Sequence, residues 1–143
     1  MTEKQIIERL PYETPFLFVD EIIEVDNDRI KGSYTLKTDE YFYKGHFKDK
    51  PITPGVILTE IMAQIGLVCL GIYISKDQLS NDDIQVAMSS TAIDFYKSVL
   101  PGEKVFVISE KQYFRFNKLK CKVALYNMEN TLVAKGEIAG MIV

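Results

Sequence analysis

The longest apolar run in the chain extends from Gly55 to Ile74 and has the sequence GVILTEIMAQIGLVCLGIYI. Its most polar side chains are Glu60 and Gln64, which would lie about one turn apart on a helix. The run is almost long enough to span a bilayer, but an ionisable group near its middle would be expensive in lipid. We therefore predict no membrane span. The segment is instead expected to be a helix buried in the protein core and wrapped by other elements.

Two helix starts carry recognisable capping residues. Residues 1–9 are charged and amphipathic, which predicts a short surface helix with Thr2 as its N-cap. Thr53 suits the N-cap of the buried helix and Pro54 its first position, because a proline there lacks only an N–H that has no helical partner. We expect the buried helix to end near Ser75.

The rest of the chain consists of apolar, β-prone segments separated by turn residues. Strands are predicted at 16–25, 29–37, 84–99, 104–116, 119–128 and 131–143. The segments between and within them are predicted to be turns at 26–28, 100–103, 117–118 and 129–130, a loop at 41–54, a polar connection at 76–83 and a bulge or bend at 89–91. A long run of strands with one dominant helix indicates an α+β architecture, in which an antiparallel sheet curls around the helix.

This architecture has consequences for domain organisation and assembly. A chain of 143 residues fits one domain and no linker divides it, so residues 1–143 are predicted to form a single domain. One copy of the sheet would cover only one side of the apolar helix well. A homodimer, in which two sheets join or two helices face each other, is therefore the expected form.

Composition and charge narrow the classes of partner and compartment. Hydrophobic residues make up 47% of the chain and charged residues 26%, which is ordinary for a globular protein, and the net charge of −3 gives no reason to expect nucleic acid. Cys69 and Cys121 are too few for a disulfide framework and show no metal-ligand spacing. No secretory signal opens the sequence, so we expect a reducing, cytoplasmic location.

The sequence contains a single histidine, His46. A zinc site built from several histidines is therefore excluded, and no metal site is expected. The motifs of nucleophile-elbow hydrolases (GxSxG), phosphate-binding loops (GxxxxGK[ST]) and dinucleotide-binding folds (GxGxxG) do not occur. A Ser–His–acid triad through His46 stays open, but no serine stands in a recognisable nucleophile setting.

Three residues around the start of the buried helix could carry acid–base chemistry. His46 precedes the helix in a loop, Gly55 lies in its first turn, and Glu60 follows about 7.5 Å further along the axis. Imidazole can abstract a proton, N–H groups at a helix N-terminus can hold a developing negative charge, and a buried carboxyl with a raised pKa can donate a proton near neutral pH. Together these groups fit proton abstraction beside a thioester carbonyl, followed by expulsion of a hydroxyl group.

Each of these residues also has a purely structural interpretation when it is taken alone. His46 could be a loop residue bonded to the backbone. Glu60 could be a buried carboxyl paired with Gln64 or with a tyrosine. Only the arrangement of all three in one segment favours the chemical interpretation.

That arrangement resembles a known family. The pattern GHFxxxPxxPGV at 45–56, followed by ExxAQ at 60–64, is similar to the active-site segment of the 3-hydroxyacyl-[acyl-carrier-protein] dehydratases of type II fatty acid synthesis. Residues 10–20 resemble the opening LPHRYPFLLVD of that family, and residues 95–103 resemble its F…PVxPGD segment. The resemblance runs over nearly the whole chain and in the family's order.

The resemblance implies a hot-dog fold, in which a curved antiparallel sheet wraps one long central helix. It also implies a homodimer, or a trimer of such dimers, as the working unit. In that family the matching histidine is the base, the matching glutamate comes from the partner subunit, and the glycine of the PG pair binds the thioester oxygen. These roles fall here on His46, Glu60 and Gly55. A glutamate at position 60, rather than an aspartate, is similar to the branch that dehydrates without isomerising the double bond.

The same resemblance implies the remaining contacts and the partner. Phe47, Val56 and Gln64 lie in the matching segment and are expected to contact the substrate. No cofactor is implied, because the phosphopantetheine arm of acyl carrier protein carries the acyl group. Departures from the family's pattern, which include Tyr12-Glu13 and Lys97-Ser98, leave open whether the pathway is fatty acid synthesis or a related polyene or pigment route.

Two groups of side chains near the motif have alternative interpretations. Lysines and an arginine could meet an acidic carrier protein or simply be solvated; these are Lys44, Lys48, Lys50, Lys97 and Arg115. Aromatic residues could line an acyl tunnel or simply pack in the core; these are Phe42, Tyr43, Phe47, Phe95 and Tyr96. Two other functions on the same fold also stay open: a thioesterase that uses Glu60 to activate water, and a non-catalytic subunit that binds the acyl carrier or its acyl chain.

Overall fold

The computed structural model describes residues 1–78 and 85–143, and in them the chain forms a six-stranded antiparallel sheet. The strands follow the spatial order β1-β2-β4-β5-β6-β3. Their bounds are β1 Glu21–Val25, β2 Arg29–Thr35, β3 Val86–Phe95, β4 Lys104–Arg115, β5 Lys118–Tyr126 and β6 Leu132–Ile142. Strand β3 enters the sheet out of chain order and pairs only with β6, so it forms one edge.

Among the described residues, helices contribute one long central element and two short ones. Helix α1 (Glu3–Glu8) opens the chain, and a 3-10 helix (Tyr41–Lys44) precedes the loop that carries His46. A continuous helix from Gly55 to Ile74, named the central helix below, consists of α2 (Gly55–Ala63), a π-helical segment (Gln64–Cys69) and α3 (Leu70–Ile74). Within its most apolar window, 78% of the helix is buried inside the protein, so it is the core helix that the sequence predicts.

The sheet wraps the central helix closely at its middle. The helix contacts β2, β3, β4, β5 and β6, and a side chain at Gly66 would lie 3.0 Å from both Ser109 and Val123. The buried Ser109 hydroxyl donates a hydrogen bond of 2.8 Å to the Gly66 carbonyl. A curved antiparallel sheet around one central helix is the arrangement of a hot-dog fold, and the predicted α+β class is confirmed.

Strand β3 differs from the other strands in its burial. Except for the half-buried Val86 and Ile93, all of its residues are exposed on both faces. Its outer edge also presents backbone N–H and C=O groups that have no strand partner among the described residues. An edge of this length with apolar side chains such as Met88 and Phe95 is the kind of surface that pairs with another chain.

Several predicted boundaries are confirmed. Thr2 forms a reciprocal capping box with Gln5, and the central helix ends at its C-cap Ser75. A register shift between Met88 and Ser90 is the bulge predicted in that region. The predicted turn at 100–103 is present, with Gly102 at a φ of +87°.

Other boundaries were predicted wrongly, for identifiable reasons. Thr53 is not the N-cap: Pro54 takes that position and the helix begins at Gly55, because the Thr53 hydroxyl is bonded to Tyr43 instead. The predicted strand 16–25 is regular only from Glu21, because the backbone groups before it bond the Gln64 side chain.

The β4–β5 turn lies one residue earlier than predicted. It is formed by Phe116 and Asn117, both with positive φ. Parts of the predicted connection 76–83 and the predicted strand start at 84 lie outside the described residues.

Candidate active site

His46 is held in a compact loop by backbone hydrogen bonds. Its N–H donates to the Phe42 carbonyl at 3.2 Å, and its carbonyl accepts from the Ile52 N–H at 2.9 Å. The ring nitrogen Nδ1 lies 2.8 Å from the Ile52 carbonyl oxygen, which can only accept. Nδ1 must therefore carry the proton when the ring is neutral, and Nε2 keeps its lone pair. This tautomer is the one that a proton-abstracting histidine needs.

The cavity beside His46 has a volume of about 400 Å³. It is lined by His46, Ile52, Thr53, Gly55, Leu58, Phe95, Tyr96, Lys97 and Ser98. Apolar and aromatic side chains thus form much of its wall, and the polar groups come from His46, the start of the central helix, Lys97 and Ser98. The cavity therefore has the composition of a small-molecule site.

Gly55 brings the helix N-terminus into this cavity. The Pro54 carbonyl accepts the N–H groups of Ile57 and Leu58, whereas the N–H of Gly55 belongs to the first turn, where no helical carbonyl can accept it. The Phe95 ring packs against Gly55, and a side chain there would begin 3.3 Å from that ring. The glycine therefore leaves a narrow approach to an N–H group at the positive end of the helix.

Glu60 lies on a different side of the central helix. Five residues separate it from Gly55, which corresponds to about 140° of rotation on an α-helix, and it is not among the residues that line the His46 cavity. Its Oε2 accepts a hydrogen bond of 2.9 Å from the Gln64 Nε2. Glu60 therefore does not line the cavity that His46 lines in this single chain.

Gln64 connects the Glu60 carboxyl to the backbone at Phe16 and Phe18 through hydrogen bonds. It is fully buried, its Nε2 also donates to the Phe16 carbonyl at 3.0 Å, and its Oε1 accepts from the Phe18 N–H at 2.8 Å. Both amide protons and the oxygen are thus occupied by groups of the same chain. The arrangement fixes the position of one Glu60 oxygen and leaves the other available.

Burial raises the pKa of Glu60, and the hydrogen bond from Gln64 offsets part of that effect. Tyr12 lies in the same neighbourhood, where burial and the charge of Glu60 raise its pKa to about 12, so it stays a neutral phenol. A carboxyl with a raised pKa is suited to donate a proton near neutral pH. Both hydrogen bonds considered from the sequence, His46 to backbone and Glu60 to Gln64, are present, and each orients its side chain.

The raised pKa of Glu60 predicts a pH-dependent stability. The folded carboxyl holds its proton at pH values where the unfolded chain, with an ordinary value near 4.5, has lost it. The stabilisation is therefore complete below the unfolded pKa and is lost as the pH rises through the folded pKa. We expect Glu60→Gln to resist urea better than the wild type at pH 8, with the difference vanishing near pH 4.

The exposed Glu24 provides the control for this measurement. Glu24→Gln should leave the wild-type pH dependence of the urea midpoint unchanged. A Glu60→Gln protein that is less stable than the wild type at pH 8 would contradict a half-buried carboxyl with a raised pKa.

The other residues singled out from the sequence fall into two groups. Phe95 and Tyr96 line the His46 cavity, whereas Phe42, Tyr43 and Phe47 are not among its lining residues. Phe47 is exposed and stacks on the His46 ring at 3.9 Å between centroids. Val56 is 77% exposed, so its side chain points away from the core.

The basic residues are also divided. Lys97 lines the cavity, and Lys44, Lys48 and Lys50 are exposed around the His46 loop. Arg115 stacks on Tyr113 beside the β4–β5 turn and is not among the cavity-lining residues. Four of the five cations therefore lie at the His46 cavity or close in sequence to His46.

No group of three or more metal-ligating side chains occurs within residues 1–78 and 85–143. Cys69 and Cys121 are buried free thiols, and burial raises the pKa of Cys121 to about 11 and that of Cys69 further. Both thiols therefore stay protonated and unreactive at neutral pH.

A larger concavity of about 470 Å³ lies on the outer face of the sheet, away from His46. Its charged residues stand opposite one another across neighbouring strands, in the row Arg29, Glu110, Lys122 and Glu137. Opposite charges directly across neighbouring strands attract each other, and Glu137 forms its ion pair with Lys120 at 3.1 Å. This concavity is thus explained as a charge ladder on a solvated sheet face.

Several parts of the site carry no sequence signal. The Ile52 carbonyl, which sets the tautomer of His46, is a backbone group that any residue could supply. Ser98 and Leu58 join the cavity only because the end of β3 meets the central helix there. The hydrogen bond between Tyr43 and Thr53 likewise carries no signal in the sequence.

Comparison with known proteins adds the family. The model of the FabA-like domain matches residues 10–139. The dehydratase FabZ of Sinorhizobium medicae, a 3-hydroxyacyl-[acyl-carrier-protein] dehydratase, is 35% identical over 98% of this chain and 88% of its own length. The FabZ protein of Petrotoga mobilis, which has the same name, is 34% identical over 96% of this chain and 95% of its own.

Solved structures show the same fold at low sequence identity. The dehydratase heterocomplex ApeI:P of Xenorhabdus doucetiae matches with a TM-score of 0.82 at 13% identity, over 100% of this chain and 92% of that one. A hypothetical thioesterase of Streptococcus pneumoniae with coenzyme A matches with a TM-score of 0.64 at 13% identity, over 86% and 84%. The family model matches most of the chain, and the sequence is 35% identical to a FabZ protein over nearly its full length. These two matches show that this chain belongs to the FabA-like family of 3-hydroxyacyl-[acyl-carrier-protein] dehydratases.

Proposed function

We propose that this chain removes water from 3-hydroxyacyl thioesters on acyl carrier protein and forms trans-2-enoyl thioesters, in fatty acid synthesis or a related polyene or pigment pathway. The observation that carries the proposal is the hydrogen bond from His46 Nδ1 to the Ile52 carbonyl. It leaves Nε2 free as a base in a cavity that also contains the helix N-terminus at Gly55. Full-length similarity to proteins named as such dehydratases supports the same reaction.

The reaction follows from these groups in two stages. Nε2 of His46 takes a proton from the carbon between the thioester carbonyl and the 3-hydroxyl carbon, and the negative charge moves to the carbonyl oxygen. The N–H of Gly55, at the positive end of the central helix, stabilises that oxygen. The carbon–oxygen bond at C3 then breaks, the carbon–carbon double bond forms, and Glu60 supplies the proton that lets the hydroxyl leave as water.

The acid in this scheme comes from a second copy of the chain. Glu60 and the His46 cavity lie on different sides of the central helix, so one chain supplies the base and the partner subunit's Glu60 the acid. The exposed edge strand β3 is the surface through which two copies would join their sheets. The working unit is then a homodimer or a trimer of such dimers, each chain being a single domain over 1–143.

Gln64 acts through Glu60 in this mechanism. Its donation to Oε2 places the acidic proton on the other carboxyl oxygen, which is the one free to reach a substrate hydroxyl. Because the Gln64 amide is fully engaged within its own chain, it orients the acid instead of touching the substrate. Phe47 and Val56 are exposed beside the site and are assigned to contact the substrate or its arm.

The remaining assignments concern delivery of the substrate. The phosphopantetheine arm of acyl carrier protein brings the thioester into the cavity, so the protein needs no cofactor of its own. Lys44, Lys48, Lys50 and Lys97 around the entrance offer positive charge to an acidic carrier surface. The enzyme would work in the cytoplasm.

Hydration of a crotonyl thioester, the reverse reaction, tests the proposal. The purified wild-type protein should remove the ultraviolet absorbance of the conjugated double bond without releasing free thiol. A thiol reagent in a parallel reaction detects any free thiol, which a thioesterase would release and a dehydratase would not. Thiol release with the double bond intact would replace the dehydratase by a thioesterase. No change with acyl chains of several lengths would make the chain a non-catalytic binding subunit.

A further inference from the structure

Two buried hydroxyl groups form a bond of their own beneath the His46 loop. The Tyr43 hydroxyl and the Thr53 Oγ1 lie 2.5 Å apart, and the two residues are only 8% and 3% exposed. Each hydroxyl is the hydrogen-bond partner that the other needs in this apolar region. Removal of one would leave the other buried and unpaired.

The Tyr43–Thr53 hydrogen bond joins the segments on either side of the His46 loop. Tyr43 lies in the 3-10 helix that ends just before His46. The His46 N–H donates to the carbonyl of Phe42, which is the residue before Tyr43. Thr53 follows Ile52, whose carbonyl fixes the His46 ring, and it precedes Gly55 by two residues. The bond therefore closes the two ends of the His46 loop against each other and against the helix start.

Apart from the bond between His46 and Ile52, the described residues 44–52 are held by backbone hydrogen bonds. Between Phe47 and Lys50 the loop is exposed and held by the backbone pair that these two residues exchange, at 2.7 and 3.0 Å. Thr53 itself is tied to the sheet side of the cavity, because its N–H donates to the Val99 carbonyl at 2.9 Å. Loss of the side-chain bond would let residues 44–52 shift relative to Gly55 without unfolding the core.

We infer that the Tyr43–Thr53 hydroxyl pair is a positioning device that sets the distance and orientation of the His46 ring relative to the Gly55 N–H. The inference rests on the proposed function and deepens it, because these two groups must address the same thioester at once. Displacements well below 1 Å are large on the scale of such a geometry. The pair acts through His46 and Gly55 and does not itself take part in the proton transfers.

The test uses Tyr43→Phe and Thr53→Val, which preserve shape and remove one hydroxyl each, together with the double variant and Thr53→Ser. Ser109→Ala is the matched control, because it removes a buried hydroxyl bond of 2.8 Å elsewhere in the core. We expect each single variant to lower kcat for crotonyl thioester hydration about tenfold, with KM nearly unchanged. The double variant should be no worse than the singles, and Thr53→Ser should stay within about twofold of the wild type.

A second readout does not depend on activity. Because His46 is the only histidine, 15N-histidine labelling gives the Nδ1 and Nε2 signals of a single imidazole, and the two shifts together report the tautomer of the neutral ring. The wild type should show the Nδ1–H form, and Tyr43→Phe and Thr53→Val should show a mixture of both tautomers, whereas Thr53→Ser and Ser109→Ala should not. This result is expected even if no thioester is turned over, which separates the inference from the proposed function. Singles that lose only thermal stability, with kcat and tautomer as in the wild type, would overturn it.

Discussion

Replacement of His46 by alanine is expected to lower kcat for hydration of crotonyl thioester by roughly 10²–10⁴-fold. The reason is that Nε2, freed by the bond from Nδ1 to the Ile52 carbonyl, is the proposed proton acceptor in the cavity. Loss of the acid in Glu60→Gln should have an effect of similar size, because the glutamine keeps the bond to Gln64 but carries no acidic proton. Both variants are measured by the loss of the conjugated absorbance under saturating substrate.

The exposed Glu24 again supplies a matched control. Glu24→Gln should retain wild-type activity, and circular dichroism of all variants should show the same folded sheet. A His46→Ala protein that keeps more than about a tenth of the wild-type rate would remove histidine from the mechanism.

Mixing the two inactive variants is expected to restore activity. If the base and the acid come from different chains, a dimer of one His46→Ala chain and one Glu60→Gln chain contains one intact pair. Random exchange of equal amounts gives half mixed dimers with one working site of two, so about a quarter of the wild-type rate should return. The measurement is the rate after the two proteins are unfolded together in urea and refolded, compared with each refolded alone.

Two outcomes of the mixing experiment are informative. Recovery of about a quarter of the wild-type rate would show that each site takes its base from one chain and its acid from the other. A mixture that remains as inactive as its components, while refolded wild type regains its rate, would place both residues in one chain. As a check, co-refolding of His46→Ala with Glu24→Gln, which keeps both His46 and Glu60, should return about half of the wild-type rate.

The fold was predictable because its strongest signals are local. The run from Gly55 to Ile74 is apolar on all sides of a helix, so exposure of any face to water would be unfavourable and the helix has to be buried. Turn residues such as Gly102 likewise determine their own backbone conformation, here at a positive φ. The sequence failed where a distant side chain decided the outcome. Gln64 bonds the backbone at Phe16 and Phe18, and it thereby delays the start of β1.

The candidate site shows the same division. His46, Gly55 and Glu60 were identifiable because their residue types and spacing suit one chemistry. The separation of His46 from Glu60 was not, because it depends on which side of the central helix each element packs against. Thr53 illustrates a competition that local rules cannot settle. Its hydroxyl can cap a helix, but it forms a hydrogen bond of 2.5 Å with the buried Tyr43 hydroxyl instead.

The exposure of β3 has a consequence for how the protein persists in solution. A folded single chain would present an open sheet edge and apolar side chains on both of its faces. In the proposed dimer that strand is protected, so association and folding form one linked equilibrium governed by mass action. For such a dimer, dilution would act as a mild denaturant does, and the free energy of unfolding would have meaning only together with the protein concentration at which it is measured.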